Sequence, residues 1–379
     1  MAPASSSSAL YLHIPFCLSR CNYCTFTSYI QKQADISRYL DALTIEFEHL
    51  VYSNKLESIY IGGGTPTCLS LKEIEKWLVL LSGECKAPGC EFTVEANPGT
   101  LTMDKLMLLR TAGVNRLSIG CQTFCEKGLQ ILGRTHNVRQ TEDAIAMARE
   151  AGFDNISLDL IFGWPGQTPC DWGRDMEKAV ALGVEHISAY CLSYESGSPL
   201  EQLREAGKIT PLTEDEERDL FDMTGEFFPA AGLMRYEISN FARLGHECRH
   251  NLNYWKGGEY FGLGLAAHSH VGQERFANTC DLEEYVNKLQ LEGSACVFRE
   301  KLPPEKYLRE LAVIWLRLAA GINLREFRAR TGAELMKALG QEITPLVRTG
   351  WLAWSDNHER LFLTEKALPV ADSVLAELV

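Results

Sequence analysis

The chain has 379 residues, which is enough for one large α/β domain of barrel size with a small appended domain. Its 46% hydrophobic and 23% charged residues are typical of a soluble globular protein, and no run of 18 apolar residues predicts a transmembrane helix. The net charge of −13 argues against a protein that binds nucleic acid irrespective of sequence, because such a protein needs a basic surface.

The N-terminal stretch "MAPASSSSAL" has neither the basic region nor the apolar region of a signal peptide. We therefore predict a flexible tail over residues 1–8 and a cytoplasmic location. The chain also contains 13 cysteines. In a reducing compartment, grouped thiols serve as metal ligands or redox groups more often than as disulfides.

From residue 9 to residue 200, strand-like and helix-like segments alternate. The predicted strands cover 9–15, 56–64, 90–98, 114–122, 155–163 and 186–194, and the predicted helices cover 36–51, 70–83, a segment ending at Ala112, 139–151 and 170–182. This alternation indicates parallel strands joined by helical crossovers. Six such strands predict an α/β fold with a partial (β/α)6 barrel of the TIM type over residues 9–200.

After Pro199 the pattern changes, and residues 201–299 are predicted to extend the barrel. They contain an acidic helix over 213–229, a strand over 234–242 and a segment rich in Gly, His and aromatic residues over 243–278. Residues 300–379 predict three short helices and a β-hairpin, which together form a small winged-helix-like domain. Winged helices often bind DNA, but the acidic charge balance favours protein or intramolecular packing here.

Three cysteines follow the first predicted strand in the stretch "HIPFCLSRCNYC", with the spacing C-x3-C-x2-C. Thiolates at Cys17, Cys21 and Cys24 could converge on one metal centre. A zinc site would need a fourth ligand, either His13 or a distant cysteine, and a purely structural role is an alternative. The spacing favours an iron–sulfur cluster, because three thiolates on a four-iron cluster leave one iron open for a substrate or cofactor.

This spacing after the first strand of a βα barrel resembles the radical S-adenosylmethionine (SAM) superfamily. In that superfamily the open iron binds the amino and carboxylate groups of SAM, and the reduced cluster cleaves SAM to a 5′-deoxyadenosyl radical. The stretch "YLHIPFC" is similar to the branch that contains oxygen-independent coproporphyrinogen III oxidase and the haem chaperone HemW. The resemblance extends from Tyr11 to about His270 and, more loosely, to the C-terminus.

Further motifs of the superfamily follow in order: "GGGTPT", "VEANP", "IGCQTF", "LGRTH" and "SLDLIFGWPGQT". Taken alone, each could be a tight turn, a core ion pair or a polar residue at a strand end. The resemblance implies a 4Fe–4S cluster on the three cysteines and a SAM site beside it. That SAM site would comprise Gly63, Gly64 and Thr65 at the amine, Arg134 at the carboxylate, Glu95, Gln122 and Asp159 at other polar groups such as the ribose hydroxyls, and Tyr11 and Tyr23 in the lining of the same pocket.

Two departures separate this chain from the oxidases. The oxidases carry a further cysteine two residues after the third ligand, where this chain has Phe26. They also carry a longer N-terminal extension that helps to form the substrate site, whereas the first strand here begins near residue 9. Both departures argue against coproporphyrinogen oxidation.

The stretch "HNLNYW" matches the H-N-x-x-Y-W signature of the chaperone branch. His250 offers an imidazole that could ligate haem iron, and Tyr254 and Trp255 offer flat surfaces that could stack on a porphyrin. The alternative is a buried structural histidine with aromatic packing. The rival iron ligands are His246, His268 and His270.

The resemblance therefore implies a haem chaperone that carries a SAM-coordinated 4Fe–4S cluster and passes haem to an acceptor protein. The alternative is a radical SAM enzyme that acts on a tetrapyrrole, such as an oxygen-independent coproporphyrinogen III oxidase. Whether the chain is an enzyme therefore stays open, and no catalytic residue is assigned. A nucleic-acid-modifying protein is a third and weaker hypothesis, and no nucleic-acid partner is predicted. A homodimer and peripheral membrane association without a membrane span are left open.

Overall fold

The computed structural model describes residues 8–50, 55–81 and 86–379, so that the predicted tail falls almost entirely outside the described residues. None of the helices in these ranges has the length and apolar character needed to cross a membrane. In chain order, the first half contains β1 (Ser8–Ile14), β2 (Phe16–Cys17), β3 (Tyr29–Ile30), α1 (Gln33–His49), β4 (Leu56–Gly63), α2 (Leu71–Leu80), β5 (Lys86–Ala96), α3 (Met103–Thr111), β6 (Arg116–Gln122), α4 (Glu126–Leu132), α5 (Val138–Glu150), β7 (Ile156–Phe162), α6 (Pro169–Ala181), β8 (His186–Cys191) and α7 (Pro199–Glu205).

Six parallel strands form the wall of a partial barrel. β1, β4, β5, β6, β7 and β8 lie side by side in chain order, and each is parallel to its neighbours. Strands that are covered on both faces are expected to be almost continuously apolar, and β7 is buried throughout except at the half-buried Asp159. The predicted α/β partial barrel is therefore confirmed.

Local capping signals explain where several of the helices begin. Ser70 is the N-cap of α2, and its backbone N–H donates a hydrogen bond to the Glu73 carboxylate at 2.7 Å. Asn137 caps α5 in the same reciprocal way with Gln140. The short helix α4 was not predicted, because its seven residues are too few to establish a helical period.

The middle of the chain extends the barrel sheet at both edges. It contains α8 (Glu214–Ala230), β9 (Met234–Arg235), β10 (Asn240–Ala242), α9 (Arg249–Trp255), β11 (Glu259–Leu263), β12 (His268–Val271), β13 (Glu274–Asn278), α10 (Leu282–Glu292) and β14 (Cys296–Lys301). β10 and β9 continue the sheet beyond β8, while β11 lies parallel to β1 and is followed by the antiparallel strands β12, β13 and β14.

The prediction of one strand over 234–242 is wrong, because a turn separates β9 from β10. The buried Glu237 carboxylate stabilises that turn by accepting hydrogen bonds from Ser239 N at 3.0 Å and from Asn240 Nδ2 at 2.5 Å. A carboxylate that accepts from the residues just after it in the chain favours a turn over a continuous strand.

The C-terminal segment has a hydrophobic core of its own, formed around Leu311, Trp315, Phe327, Leu339 and Leu361. It comprises α11 (Pro304–Leu316), β15 (Ile322–Asn323), α12 (Leu324–Thr331), α13 (Leu335–Arg348), β16 (Leu352–Trp354), β17 (Arg360–Leu363) and α14 (Ala371–Ala376). The three predicted helices are α11, α12 and α13, and the predicted hairpin is the antiparallel pair β16–β17. The boundaries of the four predicted segments of the chain stay a prediction.

Candidate functional site

The loop after β1 brings Cys17, Cys21 and Cys24 to one cavity of about 590 Å³. All three thiols are half-buried. Burial raises the pKa of Cys17 and of Cys24, and the negative charge of Cys21 raises both further. All three cysteines thus form one group in the lining of this cavity.

The group is not arranged as a site for a single ion. Throughout the described residues, no set of three or more His, Cys, Asp or Glu side chains is positioned to hold one metal ion. His13, the fourth ligand that a zinc site would need, is engaged elsewhere: Nδ1 bonds the Tyr11 hydroxyl at 3.0 Å and Nε2 bonds the Thr27 carbonyl at 2.9 Å. Thiolates on a four-iron cluster each bind a different iron, so they lie farther apart than ligands of one ion. The donor set therefore fits an open iron–sulfur cluster better than zinc.

Backbone hydrogen bonds hold the cysteine loop in place. Asn22 donates from its backbone to the Leu132 carbonyl at 3.0 Å and from its side chain to the Ile131 carbonyl at 2.9 Å. Gln31 donates from its backbone N–H to the Cys17 carbonyl at 3.0 Å, at the end of the β2–β3 pair. The hydrogen bonds of Asn22 thus hold the loop against α4.

The glycine turn after β4 packs directly against the cysteine loop. Gly64 N donates to the Ile14 carbonyl at 2.9 Å, and Thr65 N donates to the Phe16 carbonyl at 2.7 Å. A Cβ on Gly64 would lie 2.6 Å from the Phe16 carbonyl oxygen, and Gly63 has a φ of +104°. Both glycines are needed for this close approach, since a side chain would clash or force a strained backbone.

Most of the residues that the family resemblance assigns to SAM line the same cavity as the cysteines. They are Tyr23, Gly63, Gly64, Thr65, Glu95, Gln122, Arg134 and Asp159. Tyr11 is the exception, because it lines a second cavity and its hydroxyl bonds His13. The structure therefore brings eight of the nine predicted residues to one place.

Arg134 lies between the cysteine loop and the strand ends. Nη1 is 3.3 Å from Cys21 Sγ and 3.4 Å from the Tyr23 hydroxyl, and Nη2 donates to the Gly120 carbonyl at 2.8 Å. Its buried Nε has no hydrogen-bond partner among the described residues. A guanidinium with one unpaired N–H beside Cys21 is suited to receive a carboxylate.

Two half-buried acids, Glu95 and Asp159, line the same cavity as Arg134. Glu95 accepts hydrogen bonds from the Tyr60 hydroxyl at 2.9 Å and from Gly63 N at 3.2 Å. Burial, and then the charge of Asp159, raise the pKa of Glu95 to about 7. Burial also raises the pKa of Asp159, which accepts from the Ser118 hydroxyl at 3.1 Å. Perturbed carboxyl groups of this kind are typical of ligand sites.

Asp175 is a supporting residue that the sequence reasoning missed. It accepts hydrogen bonds from the Thr123 hydroxyl at 2.5 Å and from Phe124 N at 2.7 Å, and burial raises its pKa to about 6. These bonds hold the chain just after Gln122, whose φ of +69° is unusual for a residue other than glycine. Asp175 could have been found from the sequence, because it lies one turn after Trp172 on the apolar face of α6, where a charged residue is unexpected.

A second cavity of about 650 Å³ adjoins the first. It lies between α9, the strands β11 and β12, and the C-terminal helix α11. Phe26, Tyr60, Glu95 and Asn251 line both cavities. The rest of the lining is rich in aromatic and imidazole rings: His250, Tyr254, Trp255, Tyr260, His268, His270 and Tyr307.

The geometry of His250 favours the structural role over iron ligation. Only 1% exposed, it bonds the Ser58 hydroxyl through Nδ1 at 3.0 Å and the Tyr254 hydroxyl through Nε2 at 2.9 Å. Burial, together with the charge of Arg116, lowers the pKa of His250 to about 3. Both ring nitrogens are thus engaged by the protein, and His250 positions Tyr254 at the cavity wall. Of its three rivals, His268 and His270 line the cavity, whereas His246 lies outside the set of residues that form it.

Two models of known protein families match parts of the sequence. The radical SAM superfamily model matches residues 11–179, and the HemN C-terminal domain model matches residues 302–370. The first match contains the cysteine triplet and all the residues assigned to SAM. The second covers most of the C-terminal segment, including α11, which contributes to the wall of the second cavity.

Similar proteins match along nearly the whole chain. The heme chaperone HemW of Bacillus subtilis is 34% identical over 96% of this chain and 97% of its own length. Radical S-adenosyl methionine domain-containing protein 1, mitochondrial, of Bos taurus is 31% identical over 100% of this chain and 88% of its own length. Among solved structures, the coproporphyrinogen III oxidase HemN of Escherichia coli superposes with a TM-score of 0.86 at 22% identity, covering 98% of this chain and 90% of that one. At that identity the superposition establishes the fold alone.

Proposed function

Because the chain belongs to the radical SAM superfamily and, within its coproporphyrinogen III oxidase-like branch, to the family of the heme chaperone HemW, we propose that it binds haem and transfers it to an acceptor protein. The observation that carries this proposal is the second cavity. Its volume of about 650 Å³ lies within the usual range for ligand sites, and its lining is rich in aromatic rings. Flat aromatic surfaces complement the apolar faces of a porphyrin.

The first cavity is proposed to hold the cofactors of the superfamily. Cys17, Cys21 and Cys24 would hold a 4Fe–4S cluster, which when bound supplies the electron for reductive cleavage of SAM. Arg134 would receive the SAM carboxylate, while Glu95 and Asp159 in the same lining would accept hydrogen bonds from hydroxyl groups. Burial of these charged groups strengthens each contact, because little water competes for it.

A second candidate function is a radical SAM reaction on a tetrapyrrole. The observation that favours it is the shared wall: Tyr60 and Glu95 line both cavities, so that a ring bound in the second would lie beside SAM in the first. Phe26, where the oxidases have cysteine, stands at this boundary with 70% of its surface exposed. Formation of 5′-deoxyadenosine that depends on added tetrapyrrole, under anaerobic reducing conditions, would favour the enzyme over the chaperone.

Haemin titration of the full-length protein tests the chaperone proposal. We expect a saturable change in the Soret absorption at about one haem per chain, because the proposal places one porphyrin in the second cavity. Ile314→Trp narrows that cavity from α11 and is expected to weaken binding by about tenfold or more. Lys306→Trp adds the same ring at an exposed position of the same helix and serves as the control for adventitious binding. Titration without saturation, or equal weakening by both substitutions, would refute the proposal.

The pKa of Glu95 predicts that SAM affinity depends on pH. Its neighbours are Tyr60, Asp159, Arg116 and Tyr11, and the net effect of burial and these groups is a pKa of about 7. If the carboxylate accepts a hydrogen bond from SAM, binding requires the ionised form. Affinity should therefore rise as the pH increases from 6 to 8, and below the pKa it should fall by up to about tenfold per pH unit.

Glu95→Gln provides the control, because the amide keeps the shape of the side chain and does not titrate in this range. The variant should keep only the pH dependence that comes from SAM itself and from the remaining groups. Equilibrium dialysis of SAM against cluster-containing protein at several pH values measures the difference. Identical pH profiles for the wild type and Glu95→Gln would exclude Glu95 as the titrating group.

A further inference from the structure

Strand β12 presents two imidazoles to the second cavity. His268 and His270 are separated by one residue, so both side chains project from the same face of the strand. Both line the cavity, with His268 exposed and His270 only 7% exposed. The strand therefore offers one ring near solvent and one ring inside.

The hydrogen bonding of His270 fixes which of its nitrogens is available. Nδ1 lies 3.4 Å from the Gly258 carbonyl, which can only accept, so Nδ1 carries the proton. Nε2 is then an acceptor with a free lone pair, and it is buried without a hydrogen-bond partner among the described residues. A histidine whose Nδ1–H donates to a backbone carbonyl while Nε2 binds the metal is the usual arrangement of an imidazole ligand.

Charge and packing around His270 agree with this role. Burial lowers its pKa, so the ring is neutral and able to coordinate at physiological pH. The Tyr260 and Tyr307 rings lie 6.1 and 6.2 Å from it, centroid to centroid. Tyr307 belongs to α11, so a porphyrin bound at His270 would contact both the sheet extension and the C-terminal helix. Arg275 also lines this cavity, but its guanidinium is already engaged by ion pairs with Glu310 at 2.6 Å and Glu300 at 2.8 Å.

His250, the histidine of the stretch "HNLNYW", has no ring nitrogen available for iron. His250 forms hydrogen bonds through both nitrogens, and ligation of iron would break its contact with either Ser58 or Tyr254. Such a break would leave a buried polar atom unsatisfied. Ligation by His270 would instead satisfy an atom that has no partner in the described residues.

We propose that the iron of bound haem is ligated from β12 by Nε2 of His270, and that His250 supports the pocket by positioning Tyr254. This assignment rests on the proposed function and adds to it the identity of the iron ligand. It predicts that haem enters between β12 and α11, with the C-terminal segment forming one wall of the site.

Haemin titrations of single variants test the assignment. His270→Ala is expected to lose the absorption spectrum of imidazole-ligated haem and to weaken binding by at least about tenfold, and added imidazole should restore the spectrum. His246→Ala, at the rival histidine outside the cavity lining, is the control and should keep both the spectrum and the affinity of the wild type, while His268→Ala should keep the imidazole-ligated spectrum. Thermal unfolding of each variant distinguishes loss of a ligand from loss of the fold.

His270→Met is the second variant, because it keeps a side chain of similar size that can coordinate. It should shift the haem spectrum to that of a thioether ligand without abolishing binding. An unchanged spectrum in both His270 variants, or loss of the imidazole-ligated spectrum in His268→Ala alone, would overturn the assignment. A wild-type protein that shows no saturable haem binding would refute the proposed function itself.

Discussion

Simultaneous replacement of Cys17, Cys21 and Cys24 by serine is expected to reduce the iron content of anaerobically reconstituted protein from about four atoms per chain to background. Thiolates select iron–sulfur clusters, whereas a serine hydroxyl is a poor ligand at neutral pH. The loop should keep its course, since hydrogen bonds from Asn22 to α4 hold it independently of the sulfur atoms. Iron and acid-labile sulfide, measured per chain, report the result.

Cys191→Ser is the matched control for this experiment. Cys191 lines the same cavity but comes from β8 and not from the loop, so it stands outside the C-x3-C-x2-C spacing of the cluster ligands. The control should therefore retain its cluster. Iron at the wild-type level in the triple variant, or loss of iron from Cys191→Ser, would contradict the assignment of the cluster ligands.

The features that could be predicted from the sequence are those that short stretches of chain determine. The alternation of apolar strands and amphipathic helices predicts the parallel barrel, and Asp159 stands out because it interrupts the buried run of β7. The cysteine triplet lies within eight residues of one loop, so its grouping follows from spacing alone. The residues assigned to SAM lie at or near the ends of successive parallel strands, which a barrel brings together at one face.

The features that could not be predicted depend on contacts between distant parts of the chain. Tyr11 lines the second cavity because β11, more than 240 residues later, lies against β1 and places α9 and β12 beside it. The engagement of His250 depends on Ser58, which is 192 positions away. The unpartnered Nε2 of His270 likewise becomes visible only when the strand register and the position of α11 are known. Local patterns locate candidate side chains, but they do not show whether a nitrogen atom is free.

Replacement of Arg134 by methionine is expected to weaken SAM binding by about 100-fold or more. Methionine keeps much of the side-chain volume but removes the charge, and an unpaired buried carboxylate costs about 3–5 kcal/mol. Arg134→Lys should recover only part of this loss, because a lysine ammonium lacks the planar fork that binds both carboxylate oxygens. Equilibrium dialysis of SAM, with iron content measured on the same samples, separates an effect on SAM from an effect on the cluster.

Arg149→Met is the matched control for the Arg134 substitution. Arg149 forms an ion pair with Glu185 at 2.8 Å and donates hydrogen bonds to backbone carbonyls. It lies outside the lining of both cavities. Its loss should leave SAM affinity unchanged even if it lowers stability. SAM affinity within about threefold of wild type for Arg134→Met would contradict the assignment of Arg134 to the SAM carboxylate. A selective loss of SAM affinity with iron retained would instead identify Arg134 as the carboxylate receptor, because a bracing residue would lose cluster and SAM together.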